Sequence, residues 1–268
     1  MKKYYLFIAL AMVAGMTVSC KNNKNAEADA EVVEAAKTIL ADDVLATLDE
    51  YAKNCVDETG NVNIPEIISS NLTEEEKLVK PDYLLEAEEA NALVTKSQKV
   101  AALAILHIER NIRQAYGVST DETDATIAHL TAELNDPISA DDHNKLTPSE
   151  KVKKTYEQCK ENGDVSYFWQ FVLALQTEFD YLISKNIDVV FRNLTEEQYQ
   201  SVRKRFFAVA DAVRTLAEYD PEVKQAWDAY NAGGKIVDDV PNETMEDAKN
   251  FFKEMKDTIA ARRAALLK

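Results

Sequence analysis

Carboxylates and three histidines are the groups in this chain best suited to chemistry. The histidines, His107, His129 and His143, are candidates for metal binding or proton transfer, since imidazole does both near neutral pH. Carboxylate-bridged metal sites in helical bundles use Glu-x-x-His pairs. The residues three before these histidines are Ala104, Thr126 and Ala140, so that pattern is missing. His129 and Glu133 are four apart and share a helix face, but one pair does not define a metal site and reads as a surface interaction. His107 lies in "AILHIER" beside Glu109 and Arg110, where a histidine satisfied by a core hydrogen bond is the commoner outcome. No metal and no cofactor are expected. The Gly-x-Gly-x-x-Gly, Gly-x-Ser-x-Gly, His-Glu-x-x-His and P-loop signatures do not occur. Paired carboxylates are another route to hydrolysis, but the 47 acidic residues supply many pairs and their spacing selects none. Catalytic residues are therefore left unassigned.

Two further sets of side chains bear on binding. In "SYFWQFVLALQTEFDY", Phe168, Phe171 and Phe179 follow a core stripe. Tyr167 and Trp169 fall off that stripe and are the candidates for a groove, where they could stack on a sugar ring or a partner; packing on a neighbouring helix is the alternative. Cys55 and Cys159 have two states open to them. An exported chain passes an oxidising compartment in which they could pair, and otherwise they are small buried apolar residues. The basic island "RKRFF" at Arg203 to Phe207 reads as a solvated face paired with nearby acids.

The elements that must position these residues are helical. Six glycines and six prolines in 268 residues leave little turn chemistry for β-hairpins. The periodicity predicts an all-α, multi-helix bundle of about seven to nine helices with no significant sheet. Helices are expected over residues 30–56, in a short segment opened by Pro65, and over 81–116 with a bend near Thr95. Others are expected over 123–134, 148–162, 165–185, 196–218, from Pro221, and over 243–267. The half "VAALAILHIERNIRQAYG" is apolar on several sides, which marks a central helix, with Gly117 as its stop. The helical domain is expected to span residues 30–268, with a seam between two subdomains, if there are two, at 135–147.

The pentapeptide "NLTEE" occurs twice, at Asn71 to Glu75 and Asn193 to Glu197. Each threonine is followed three residues later by Glu76 or Gln198, the capping-box pattern. "LTPSE", with Thr147 and Glu150, is a third instance. Extending the register downstream aligns little else, so the pattern marks helix starts near Glu74, Pro148 and Glu196 rather than a repeat architecture.

At the N-terminus, Lys2 and Lys3 precede an uncharged stretch from Tyr4 to Ser19, the layout of an export signal over residues 1–19. Thr17, Val18, Ser19 and Cys20 resemble the lipobox of bacterial lipoproteins, which implies lipidation of Cys20 and a polar tether over residues 20–29. Losing Lys2 and Lys3 with the signal takes the net charge from −16 to −18. So acidic a surface disfavours nucleic acid and anionic lipid head groups, both of which reward clusters of Lys and Arg. The signal, the tether and "EEEKLVKPDYLLEAEEANALVTKSQKVAALAILHIER" are similar to exported helical lipoproteins of Bacteroides-like bacteria, largely uncharacterised. Surface-displayed members of that group tend to carry acids directly after the lipidated cysteine. Here Lys21, Asn22, Asn23 and Lys24 stand there, which implies the periplasmic face of the outer membrane. The expectation is a lipid-anchored envelope protein that binds a protein or glycan partner. A carboxylate hydrolase and a solute-binding accessory protein are the alternatives.

Overall fold

Local capping chemistry sets most of the helix ends. The computed structural model describes residues 40–55, 62–136, 148–232 and 244–268. The signal, Cys20, the tether, His143, Thr147 and the expected helical residues before position 40 lie outside them. The helices are α1 (Asp42–Cys55), α2 (Ile64–Asn71), α3 (Ala87–Asn91), α4 (Lys96–Ala115), α5 (Asp121–Leu134) and α6 (Pro148–Glu161). They continue with α7 (Val165–Lys185), α8 (Ile187–Val190), α9 (Glu196–Leu216), α10 (Pro221–Ala232), α11 (Met245–Glu254) and α12 (Lys256–Leu266). No strand occurs among the described residues.

Gly117, Asn135 and Gly163 take φ of 62°, 49° and 68°, the left-handed conformation that closes a helix. At Gly163, Asp164 N–H donates to Cys159 O at 2.7 Å and Gly163 N–H to Lys160 O at 3.1 Å. Asp220 Oδ1 accepts from the N–H groups of Glu222 and Val223 at 2.8 and 3.2 Å, opening α10 with Pro221 at its first position. Thr195 and Gln198 make the full reciprocal capping box of α9. Thr195→Ala is expected to cost about 1 kcal/mol in urea denaturation; an unchanged midpoint would show that packing alone holds the start of α9.

The first "NLTEE" behaves differently. Its box forms, with Thr73 N–H donating to Glu76 Oε2 at 2.8 Å and Glu76 N–H to Thr73 Oγ1 at 3.2 Å. Yet it opens a single 3₁₀ turn, Glu76–Leu78, and not the helix expected near Glu74. Two causes act together. Lys80 precedes Pro81 and is disfavoured in the helical region, and Leu78 and Val79 are 80% and 74% exposed, so continued helix would bury no apolar face. The two copies also touch. Asn193 Nδ2 donates to Asn71 Oδ1 at 2.7 Å, and Arg192 reaches from beside the second copy to Glu76 of the first at 2.7 Å. In the same register, Ile68 aligns with Val190 upstream of the pentapeptide and Leu72 with Leu194 inside it; all four are buried.

Among the described residues there are twelve α-helices, where seven to nine are expected from the sequence. The run 81–116 is not one bent helix. Thr95 and Gln98 form a capping box there, so α3 ends and α4 begins afresh. The segment after α7 contributes the short α8, and the last run breaks at Met255 into α11 and α12.

At the centre lie α4 and α7, buried on several faces as the apolar pattern of α4 implied. Val100 to Leu106 of α4 share one core cluster with Val165 to Ala174 of α7. Ile108 and Ile112 share a second with Tyr181 to Ile183. Like halves pack together, so the two helices run in the same direction. At one end Lys96 lies 3.7 Å from Asp164; at the other, the hydroxyl of Tyr116 donates to Asn186 Oδ1 at 3.3 Å. The α12 helix runs against them, contributing Ile259 to the second cluster and Leu266 to the first. Residues 37–268 form one unit, and described helices before and after 137–147 share the first core cluster.

Candidate functional site

Between the two apolar clusters sits a charged layer. Glu109 of α4 and Glu178 of α7 are fully buried and both meet Arg263 of α12. Arg263 Nε donates to Glu178 Oε2 at 2.6 Å, and its Nη2 donates to Glu109 Oε1. Leu85 N–H donates to the second oxygen of Glu109 at 2.7 Å. The guanidinium also lies over the Tyr181 ring, 4.5 Å from its centroid. Glu178 Oε1 receives no donor. A buried oxygen left so is costly unless the carboxyl carries its own proton. Burial drives both carboxyls upward, and the hydrogen bond between them raises Glu178 while lowering Glu109. Both carboxyls are held above their ordinary range by burial, and Arg263, in contact with each, counters the charge they carry.

Such a dyad has the acid–base character of a hydrolytic site. Its place in the fold denies it that use. Neither carboxyl has solvent-accessible surface, and neither lines any cavity described below. The signal in the sequence is that each is a charge set inside an apolar run, Glu109 in "AILHIER" and Glu178 in "LALQTEFDY".

A second acid, Asp180, lines a cavity of about 30 Å³ where α7, α9, α10, α11 and α12 converge. The cavity has room for a few waters at most. Phe206, Tyr230 and Phe252 wall it, and Arg262 lies over the Tyr230 ring at 4.4 Å. Burial pushes the Asp180 carboxyl up to about 7, against the hydrogen bond from Gln176 at 3.1 Å and the attraction of Arg262 and Arg205.

Two larger cavities adjoin α6. An open groove of about 540 Å³ lies between α1 and α6. A recess of about 200 Å³ adjoins it at Val152, bordered by α1, α6, α7 and α9.

The residues singled out from the sequence fall elsewhere. Tyr167 and Trp169 are buried, 2% and 0% exposed, which corrects their assignment to a groove. Tyr167 donates to Asp136 Oδ1 at 2.6 Å, and Trp169 packs edge-on against Phe168 and Tyr156. A single core stripe would leave α7 one free face, whereas neighbours surround the helix.

Cys55 and Cys159 are free thiols. Lys160 reaches Asp49 at 2.6 Å while Val152 and Cys55 border one recess, so α1 and α6 are antiparallel. Cys159 then lies near the level of Asp49, six positions from Cys55. That is about 9 Å along the axis, beyond disulfide reach. Burial raises both thiols to about 12.

His129 and Glu133 make an exposed contact at 3.8 Å, and His107 packs against Phe171 with ring centroids 6.3 Å apart. No group of three or more potential metal ligands occurs among the described residues, and no described helix is long and apolar enough to cross a membrane. No family model, curated protein or solved structure matches the chain.

Proposed function

We propose that the chain is a lipid-anchored lipoprotein of the cell envelope, held at the periplasmic face of the outer membrane, whose helical unit binds a protein or glycan partner and does not catalyse a reaction. The observation that carries this reading is Thr17-Val18-Ser19-Cys20 behind a basic and then apolar segment. A single acyl chain binds a membrane only marginally, so durable anchoring takes the several chains that bacterial lipoproteins carry on this cysteine. The strong acidity of the remaining chain fits a partner other than nucleic acid. Against catalysis stands the burial of the Glu109 and Glu178 carboxyls, which no substrate reaches.

Cys20→Ser is expected to abolish incorporation of radiolabelled palmitate and to shift the protein from the membrane to the soluble fraction. Unchanged membrane association in that variant would sink the anchor. For binding, affinity capture of the tagged lipidated protein from native membranes should return the same partner in repeated preparations, and a recovery that never repeats would count against a scaffold.

A further inference from the structure

The groove and the recess beside α6 meet at Val152, which lines both. Their characters differ. Lys53, Lys153 and Lys160 stand along the groove with Asp49 and Glu157. Asp49 and Lys160 neutralise one another at 2.6 Å, and the Tyr156 hydroxyl donates to the same carboxylate at 2.8 Å. This leaves Lys53 and Lys153 facing Glu157. The ion pair of Lys53 with Glu50 is exposed on both sides and holds it only weakly. The residues lining the groove carry one more positive than negative charge, on a chain whose net charge is −16.

The recess is apolar. Cys55, Val172, Leu175, Phe179 and Val209 wall it. Arg205 also lines it, but its Nη2 donates to Val62 O at 3.2 Å and its guanidinium lies 5.2 Å from the Phe179 ring centroid. Across the shared Val152 the lining changes from the lysines and Ala52 of the groove to the branched aliphatic and aromatic walls of the recess. Together the two spaces fall within the usual size of a small-molecule site, where apolar walls supply affinity and a few polar groups set orientation.

We infer that groove and recess form one binding site for a single-chain amphiphile with an anionic head, its tail passing Val152 into the recess and its carboxylate or phosphate resting between Lys53 and Lys153. A sugar would leave the recess unused, and a cationic head would meet the wrong charge. Nothing here depends on the lipid anchor, so failure of either reading leaves the other standing.

The test is equilibrium dialysis of the chain carrying Cys20→Ser, which has no acyl group at that position to compete. The probes are decanoate, decyl phosphate and decyltrimethylammonium, each below its micelle concentration. One equivalent of either anion should bind saturably and the cation at least tenfold more weakly. The tighter of the two anions separates a fatty acid from a phosphate-headed lipid. Val152→Trp, at a half-buried position in the constriction, should remove binding of both anions. Lys53→Glu with Lys153→Glu, at two exposed positions, should weaken the anions at least tenfold and remove the preference over the cation. The double variant leaves the walls intact, so it decides the matter even if Val152→Trp fails to fold. Absence of saturable anion binding, equal binding of the cation, or binding unaffected by the charge reversal would overturn the inference.

Discussion

Replacing Arg263 with alanine is expected to destabilise the helical unit by about 3–5 kcal/mol at pH 8, because it removes the cation that both buried carboxyls, Glu109 and Glu178, contact. The loss should shrink toward pH 5. Without the guanidinium both carboxyls rise further above their ordinary range, so the folded state binds more protons than the unfolded one. Stability then falls as pH rises through and above the usual carboxylate pKa of about 4.5. The measurement is urea denaturation at both pH values. A penalty below about 1 kcal/mol, or one equal at the two pH values, would be inconsistent with a buried charge held by Arg263. Glu178→Gln and Glu109→Gln each leave Arg263 one buried carboxyl to pair with, so each should cost less than Arg263→Ala.

The second large effect has the opposite sign. Asp180 titrates near 7 in the fold, raised by burial from an ordinary value of 3.8. An acid with a raised folded pKa favours folding below its unfolded pKa. That advantage is lost as pH climbs from about 4 through about 7. Asp180→Asn keeps an oxygen to accept from Gln176 and has no charge to bury, so it should be more stable than the parent at pH 8. The linkage ceiling is about 4 kcal/mol, and hydration of the cavity brings the expected gain to about 2 kcal/mol. At pH 5 the gain should be smaller. Thermal melts of both proteins across pH 5 to 8 test this. A variant less stable than the parent at pH 8, or a pH-independent gain, would mean that Asp180 pairs with Arg262 strongly enough to remain charged.

The predictions made from local pattern and those that depended on burial met different outcomes. Gly117 and Gly163 stop their helices, Asp220 and Pro221 start α10, and Thr195 with Gln198 starts α9, as their side chains and backbone freedom dictate. Thr95 and Gln98 have the same T-x-x-Q form as Thr195 and Gln198. Their signal was present but hidden inside a longer apolar run. Tyr167 and Trp169 looked like surface residues because a stripe was counted on one face, and only the neighbours of α7 show that the helix has no free face.

Helix ends were legible because a cap is an exchange of hydrogen bonds within a few residues, and the all-α class because apolar spacing and scarce Gly and Pro are properties of the chain itself. The tertiary structure alone decided that Glu109, Glu178 and Arg263, up to 154 positions apart, meet in one buried layer. It alone brought Asn71 against Asn193, set Cys55 and Cys159 beyond bonding distance, and gave the first "NLTEE" a single turn. Burial and ionisation depend on what distant segments place around a side chain, and one-dimensional spacing does not carry that information.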